Sequence, residues 1–144
     1  MSAFRSRNAG FSLIEILVVV VIIGILAAVV VPRVMDAPGE ARSVKAAQDV
    51  QALVTALNMY KLDNFQYPST EQGLDALIRQ PSGQPPAANW KAGGYIDGLP
   101  NDPWGRPYQY LNPGLKGEID VWSFGANGMP GGEGDNAEIG NWRD

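Results

Sequence analysis

Apolar and polar positions divide this chain into one long hydrophobic run and a series of shorter, mixed periods. Residues 16–31 hold no polar side chain, and Phe11, Leu13 and Ile14 extend the run toward the N-terminus with Glu15 as its one charge. As a helix, residues 11–31 would measure about 31 Å at 1.5 Å per residue, the thickness of a bilayer core. Pro32 removes a helical hydrogen bond and Pro38-Gly39 is a second weak point. The helix is therefore expected to bend or loosen between residues 31 and 40. Beyond Ala41, the residues Val44, Ala47, Val50, Leu53, Val54, Leu57 and Tyr60 recur at spacings of three and four. That period predicts an amphipathic helix ending near Leu62-Asp63-Asn64. Lys45, Asp49, Gln51 and Lys61 fall on its other faces. They read as solvated surface, with contacts to neighbouring subunits as the functional alternative.

The pattern then shortens. Ser69-Thr70-Glu71-Gln72 has the form of a capping box, Ser69 as N-cap and Gln72 three residues on, and predicts a short helix with Leu74, Leu77 and Ile78 inward. Residues 81–86 are a Pro/Gly/Ser loop. Tyr95-Ile96 is expected as a short strand. Tyr108-Gln109-Tyr110-Leu111 and Asp120-Val121-Trp122-Ser123-Phe124 alternate as half-buried strands, with a turn beginning at Asn112-Pro113-Gly114. Trp104, Trp122 and Trp142 read as core or lid aromatics. Helix followed by strands places the chain among α+β proteins.

Composition narrows the chemistry. The 144 residues include neither cysteine nor histidine, which removes disulfides, thiol chemistry, the commonest general base and the usual ligand for zinc, copper and iron. Fifteen acidic residues against eleven basic ones give −4, and setting aside Arg5 and Arg7 leaves nine basic residues and −6. An acidic chain without a basic stripe argues against nucleic-acid binding. It leaves room for a cation. Asp102, Asp120 and Asp135 could be imagined as paired carboxylates for glycoside hydrolysis in a membrane-anchored periplasmic enzyme. A small domain without a large cleft makes that the least favoured reading.

Arg5 and Arg7 precede the apolar run, so the positive-inside rule puts the N-terminus in the cytoplasm and residues 32–144 in the periplasm. A cleaved signal peptide fits poorly, because its apolar region is shorter and its small-residue cleavage site lies beyond it. Hydropathy by itself is equally compatible with a plain single-span anchor. In that case Glu15 would need water or a partner, since a charge near the centre of a membrane helix costs about 2.5–3.5 kcal/mol. The local sequence Gly10-Phe11-Ser12-Leu13-Ile14-Glu15 resembles the processing motif of type IV pilins and type II secretion pseudopilins. The resemblance implies a leader of residues 1–10, cleavage after Gly10 by a membrane prepilin peptidase, and methylation of Phe11. Cleavage would create an α-amino cation, and Glu15 of a neighbouring subunit can pair with it. Breaking such a buried pair costs roughly 3–5 kcal/mol, which gives Glu15 a registering role in assembly.

The tail is rich in glycine and in oxygen donors: Gly125-Ala126-Asn127-Gly128, then Gly131-Gly132-Glu133-Gly134-Asp135-Asn136-Ala137-Glu138. No EF-hand spacing is present. Such a loop is either solvated and flexible or a site for Ca²⁺, which accepts six to eight oxygens in irregular geometry. Met59-Tyr60-Lys61-Leu62-Asp63-Asn64, Tyr67-Pro68-Ser69-Thr70-Glu71-Gln72-Gly73-Leu74, Leu99-Pro100-Asn101-Asp102-Pro103-Trp104-Gly105 and Ile139-Gly140-Asn141-Trp142 are similar to the major pseudopilins of type II secretion. The resemblance implies a long N-terminal helix packed on a small antiparallel sheet with a C-terminal calcium-binding loop. Its ligands would fall at Phe124, Asn127, Met129, Asp135, Asn136 and Glu138. Asparagine at 127 and 136 lowers the ligand charge relative to the family's acidic positions.

The function so implied is structural, with no catalytic residues. Residues 11–31 form the transmembrane assembly helix, and the subunit polymerises into an inner-membrane-rooted periplasmic filament that promotes export of folded proteins. Its partners would be further copies of itself, minor pseudopilins, the inner-membrane assembly platform and the prepilin peptidase. The alternative is a type IV pilin forming a surface fibre for adhesion or motility. Such pilins commonly close their C-terminal loop with a cysteine pair, which this chain lacks.

Overall fold

The computed structural model describes residues 10–142, with the backbone alone at residues 30–37. The leader residues 1–9, with Arg5 and Arg7, lie outside the described residues. So do the side chains of Pro32, Arg33 and Asp36. Two compact units divide the chain, Met1–Pro38 and Gly39–Asp144.

One helix, α1, is assigned from Leu13 to Asn64. The assignment runs on through Pro32 and through Pro38-Gly39, where bending or loosening is expected. A proline deletes one i→i−4 bond and leaves the flanking turns of the ladder in place. In the first unit the apolar side chains of residues 11–29 are half or more exposed, from 50% at Val18 and Ile22 to 84% at Leu13.

In the second unit α1 buries Ala46, Val50, Leu53, Ala56, Leu57 and Tyr60, and its last residue Asn64. The stripe differs from the expected one at its start: Val44 and Ala47 are exposed and Ala46 is buried. At about 100° per residue Ala46 lies about 40° from Val50 around the axis, whereas Val44 lies about 120° away. Asp49 is tied to Lys45 and accepts the hydroxyl of Tyr108 at 2.9 Å. Lys61 pairs with Glu118 at 2.5 Å and stands 4.5 Å over the Tyr67 ring. Three of the four charged or polar side chains assigned to solvated faces therefore engage their own unit.

A three-stranded antiparallel sheet packs with this half of α1. Its order is β1 (Gln109–Leu111), β2 (Asp120–Ser123), β3 (Ile139–Gly140), with Tyr110 opposite Val121 and Trp122 opposite Gly140. Tyr108, Tyr110, Ile119 and Val121 join the helix stripe in one core. The turn between β1 and β2 is organised by the buried Asp120, whose carboxylate accepts the N–H groups of Leu115, Lys116 and Gly117 at 2.7, 3.0 and 3.1 Å. Trp104 packs against the core, while Trp122 and Trp142, with ring centroids 6.1 Å apart and planes inclined by 49°, form a partly exposed cover.

Ser69 and Gln72 exchange the two bonds of a capping box: Gln72 N–H donates to Ser69 Oγ at 3.1 Å, and Ser69 N–H to Gln72 Oε1 at 3.0 Å. They close a turn rather than start an α-helix. Gly73 follows at φ 65°, and only one 3₁₀ turn, Leu74–Leu77, comes after it. Tyr95-Ile96 is not a strand. Positive-φ glycines precede it and no ladder partner runs alongside; Tyr95 is instead fixed by its N–H on Leu77 O at 2.8 Å and its hydroxyl on Asp63 at 2.9 Å.

Candidate functional site

Two regions drew functional expectations, the motif around Gly10 and the tail loop. At the first, a Cβ placed on Gly10 would meet nothing within 4 Å, so the fold makes no demand for glycine there. Phe11 is 81% exposed. Ser12 then caps α1. Glu15 N–H donates to Ser12 Oγ and Ser12 N–H donates to Glu15 Oε2, both at 3.2 Å. This is a second capping box, of Ser-x-x-Glu form, and its spacing is legible in the sequence. The carboxylate sits at the positive end of the helix dipole, where an acid is favoured. One oxygen of Glu15 is thus engaged within its own chain, at the edge of an exposed apolar surface far larger than soluble monomers tolerate. Among the described residues no helix is long and apolar enough to cross a membrane; the run of described apolar side chains stops at Val29.

The tail loop leaves β2 at Ser123 and returns at β3. Its two arms touch: Ala126 N–H donates to Asp135 O at 2.8 Å, and a Cβ on Gly125 would stand 2.6 Å from Ala137 O. Gly125 and Gly132 have φ of 80° and 105°, conformations that glycine adopts without strain. A short turn, Gly134–Asn136, lies before β3.

Of the six expected ligands, Asn127, Asp135, Asn136 and Glu138 carry side-chain oxygens, and Phe124 and Met129 would supply only backbone carbonyls. Asn127 Oδ1 accepts the N–H of Met129 at 3.1 Å, closing its own turn. The Asp135 carboxylate lies against Gly39 of α1, where a side chain would collide with it. Glu138 faces Lys116, 3.8 Å away, and Lys116 in turn stands 3.9 Å over the Trp142 ring. Among the described residues no group of three or more acidic side chains is positioned to hold a metal ion. The set contains two carboxylates, and Lys116 stands near one of them, Glu138. Carboxylates, side-chain amide oxygens and backbone carbonyls are donors of the kind that calcium accepts.

Arg106 is the residue that the sequence did not flag. Its Nη1 donates to Gly125 O at 3.1 Å and Ala126 O at 3.3 Å, and its Nη2 to Ala126 O at 3.2 Å. Its own backbone is held by Asp102, a buried carboxylate whose Oδ1 accepts Arg106 N–H at 2.8 Å and Trp104 N–H at 3.1 Å. Oδ2 of Asp102 accepts the buried Ser123 hydroxyl at 2.7 Å, and Ser123 Oγ accepts Gly125 N–H at 3.1 Å. Asp102 is therefore the hub of a turn that grips the root of the tail loop from both sides.

Comparison with known proteins covers both regions. The family described as "Type II secretion system (T2SS), protein G" matches residues 33–142, and the "Prokaryotic N-terminal methylation motif" matches residues 5–31. A type II secretion system core protein G of Pseudomonas aeruginosa is 57% identical over 138 residues, spanning 96% of this chain and 97% of that one. The protein of the same name from Vibrio cholerae is 54% identical over 136 residues, 94% of this chain and 92% of its own. The crystal structure of the major pseudopilin of enterohaemorrhagic Escherichia coli superposes with a TM-score of 0.67 at 47% identity, over 75% of this chain and 92% of that chain.

Proposed function

This chain belongs to the protein G family of the type II secretion system, the major pseudopilins, and from that we propose how it is made and assembled. It is the major structural subunit of the pseudopilus. The peptidase cuts after Gly10 and Phe11 is methylated; support comes from the methylation-motif match and from a glycine that the fold itself does not require. Residues 11–31 then anchor the subunit in the inner membrane, N-terminus on the cytoplasmic side, with the second unit in the periplasm. The apolar length of that segment and the charge of Arg5 and Arg7 support this topology.

The observation that carries the reading is the exposed apolar surface of residues 11–29 with Glu15 at its edge. In lipid that surface is satisfied, and in a filament it is satisfied by copies of itself. A head-to-tail contact that does not close yields a helical fibre rather than a ring. Glu15 is already positioned by Ser12, and among the described residues only one of its oxygens is engaged. Pairing with the new amine of the next subunit would set the axial step. Minor pseudopilins, the assembly platform and the export of folded proteins follow from the family's role. The family match across residues 33–142 supports this reading over a surface-fibre pilin.

Glu15→Ala tests it. The variant should enter the membrane and be processed normally, yet yield no filament in sheared fractions. Wild-type filament yield would remove the pairing from the account.

A further inference from the structure

We infer that the outer edge of β1 is a docking site for an extended, positively charged peptide segment of another protein, which adds to the sheet there as a fourth strand. β1 ends the sheet and has β2 on one side only. The pairing shows which of its backbone groups face outward. Val121 N–H donates to Asn141 Oδ1 at 2.9 Å and Val121 O accepts Asn141 N–H at 3.0 Å, so Val121 turns both groups toward β3. Its neighbours Asp120 and Trp122 therefore turn theirs toward Leu111 and Gln109 of β1, and Tyr108, Tyr110 and Asn112 face away from the sheet. Asn112 bears out the alternation, because its N–H and its carbonyl both meet Thr70 Oγ1, at 2.9 and 3.0 Å. At the other end the bridge between Asn101 and Pro107 covers the edge. Between these two covers, Tyr108 O and both backbone groups of Tyr110 have no hydrogen-bond partner among the described residues.

That gap opens into a groove of about 480 Å³, with Leu53 of α1, Leu74 and Leu99 among its lining residues. In an antiparallel strand laid along it, the residue opposite Tyr110 exchanges two bonds with it. The residue two places on donates to Tyr108 O. Main-chain bonds of this kind supply affinity, and the apolar walls and charges beside the edge supply preference. Here the charge is acidic. Glu71 and Asp75 line the groove, both exposed, and no lysine or arginine does. Among the described residues neither is paired with a cation. Edge-to-edge pairing of two copies would bring like charges together in a chain whose net charge is already −4. The occupant that fits is a separate strand with lysine or arginine flanking an apolar residue. This rests on the second unit alone and stands apart from the filament reading.

The test uses the full chain in non-ionic detergent micelles and two end-blocked pentapeptides, Lys-Val-Thr-Val-Lys and Glu-Val-Thr-Val-Glu. The basic peptide should bind saturably and one-to-one, and should slow hydrogen exchange of the Tyr110 amide about tenfold at saturation. The acidic peptide should bind about tenfold more weakly or worse. Glu71→Lys combined with Asp75→Lys, both at exposed positions, should reverse that preference. No saturable binding at millimolar peptide, binding that leaves the Tyr110 amide unprotected, or equal affinity for the two peptides would overturn the inference. So would an unchanged preference in the double variant. If that variant does not fold, the two peptides on the wild type decide.

Discussion

Asp102→Asn is the substitution whose cost the structure defines most fully. Asp102 is 5% exposed and accepts three bonds, from Trp104 N–H at 3.1 Å, Arg106 N–H at 2.8 Å and Ser123 Oγ–H at 2.7 Å. Bonds to a charged group contribute about 1.5–3 kcal/mol and neutral ones about 0.5–1.5, so neutralising the acceptor costs about 1 kcal/mol for each of the three. The amide adds a misfit. With its oxygen kept on the two N–H groups, its nitrogen faces Ser123 Oγ, which already accepts Gly125 N–H at 3.1 Å and then has no acceptor for its own proton. With about 1 kcal/mol more for that unsatisfied hydroxyl the total is about 4 kcal/mol, and for a unit of this size that lowers the melting temperature by about 16 °C. Thermal and guanidinium unfolding of the full chain in micelles reads it, with Trp104 in the same turn as the fluorescent reporter. A cycle with Ser123→Ala should show coupling of about 1 kcal/mol or more, since both residues serve one network. A loss below about 1 kcal/mol, or additive single variants, would refute the hub role.

Other expectations concern processing, the hairpin turn and pH. Gly10→Leu should leave a form that is heavier by the ten-residue leader on gels, with its fold unchanged because nothing packs against Gly10; normal processing would contradict the cleavage site. Asp120→Ala orphans the N–H groups of Leu115, Lys116 and Gly117 and should cost about 2–4 kcal/mol in chemical denaturation. Burial raises the pKa of Tyr108 and Tyr110, with the Asp49 bond adding to Tyr108 and the neighbouring Tyr67 and Tyr60 to Tyr110; Tyr60 and Tyr95 are also raised by burial. A folded pKa above the unfolded one means full stability below about pH 10 and a decline as pH rises further. Phenolate absorbance should therefore appear together with loss of tryptophan fluorescence. Titration of every tyrosine near pH 10 in an intact fold would contradict it.

What the sequence disclosed follows the range of the interaction involved. The helix, β1, β2 and the Ser69–Gln72 box depend on period and local spacing, and all were legible. Where two registers shared that period, the choice between Val44 and Ala46 was made by the sheet that packs on α1. The Tyr95-Ile96 strand failed because β-propensity without a neighbouring ladder does not make a strand. The two-residue β3 was too short to show a period. Gly10, Phe11 and Glu15 were visible because they lie in one contiguous stretch, within the residues that match the N-terminal methylation motif. Arg106 was not, because its acceptors are backbone carbonyls some twenty residues away, and no side-chain pattern marks a carbonyl. The expected calcium ligands were read by residue type, whereas the fold decides which way each donor faces.

The central claim is that this subunit is made competent for assembly by a cut that turns Phe11 into a methylated N-terminus. Intact-mass analysis of the chain extracted from the inner membrane tests it most directly. The account predicts a single species lacking residues 1–10 and carrying one methyl group on Phe11. A membrane-bound species that retains Met1 to Gly10, or one cut within the apolar run, would contradict it.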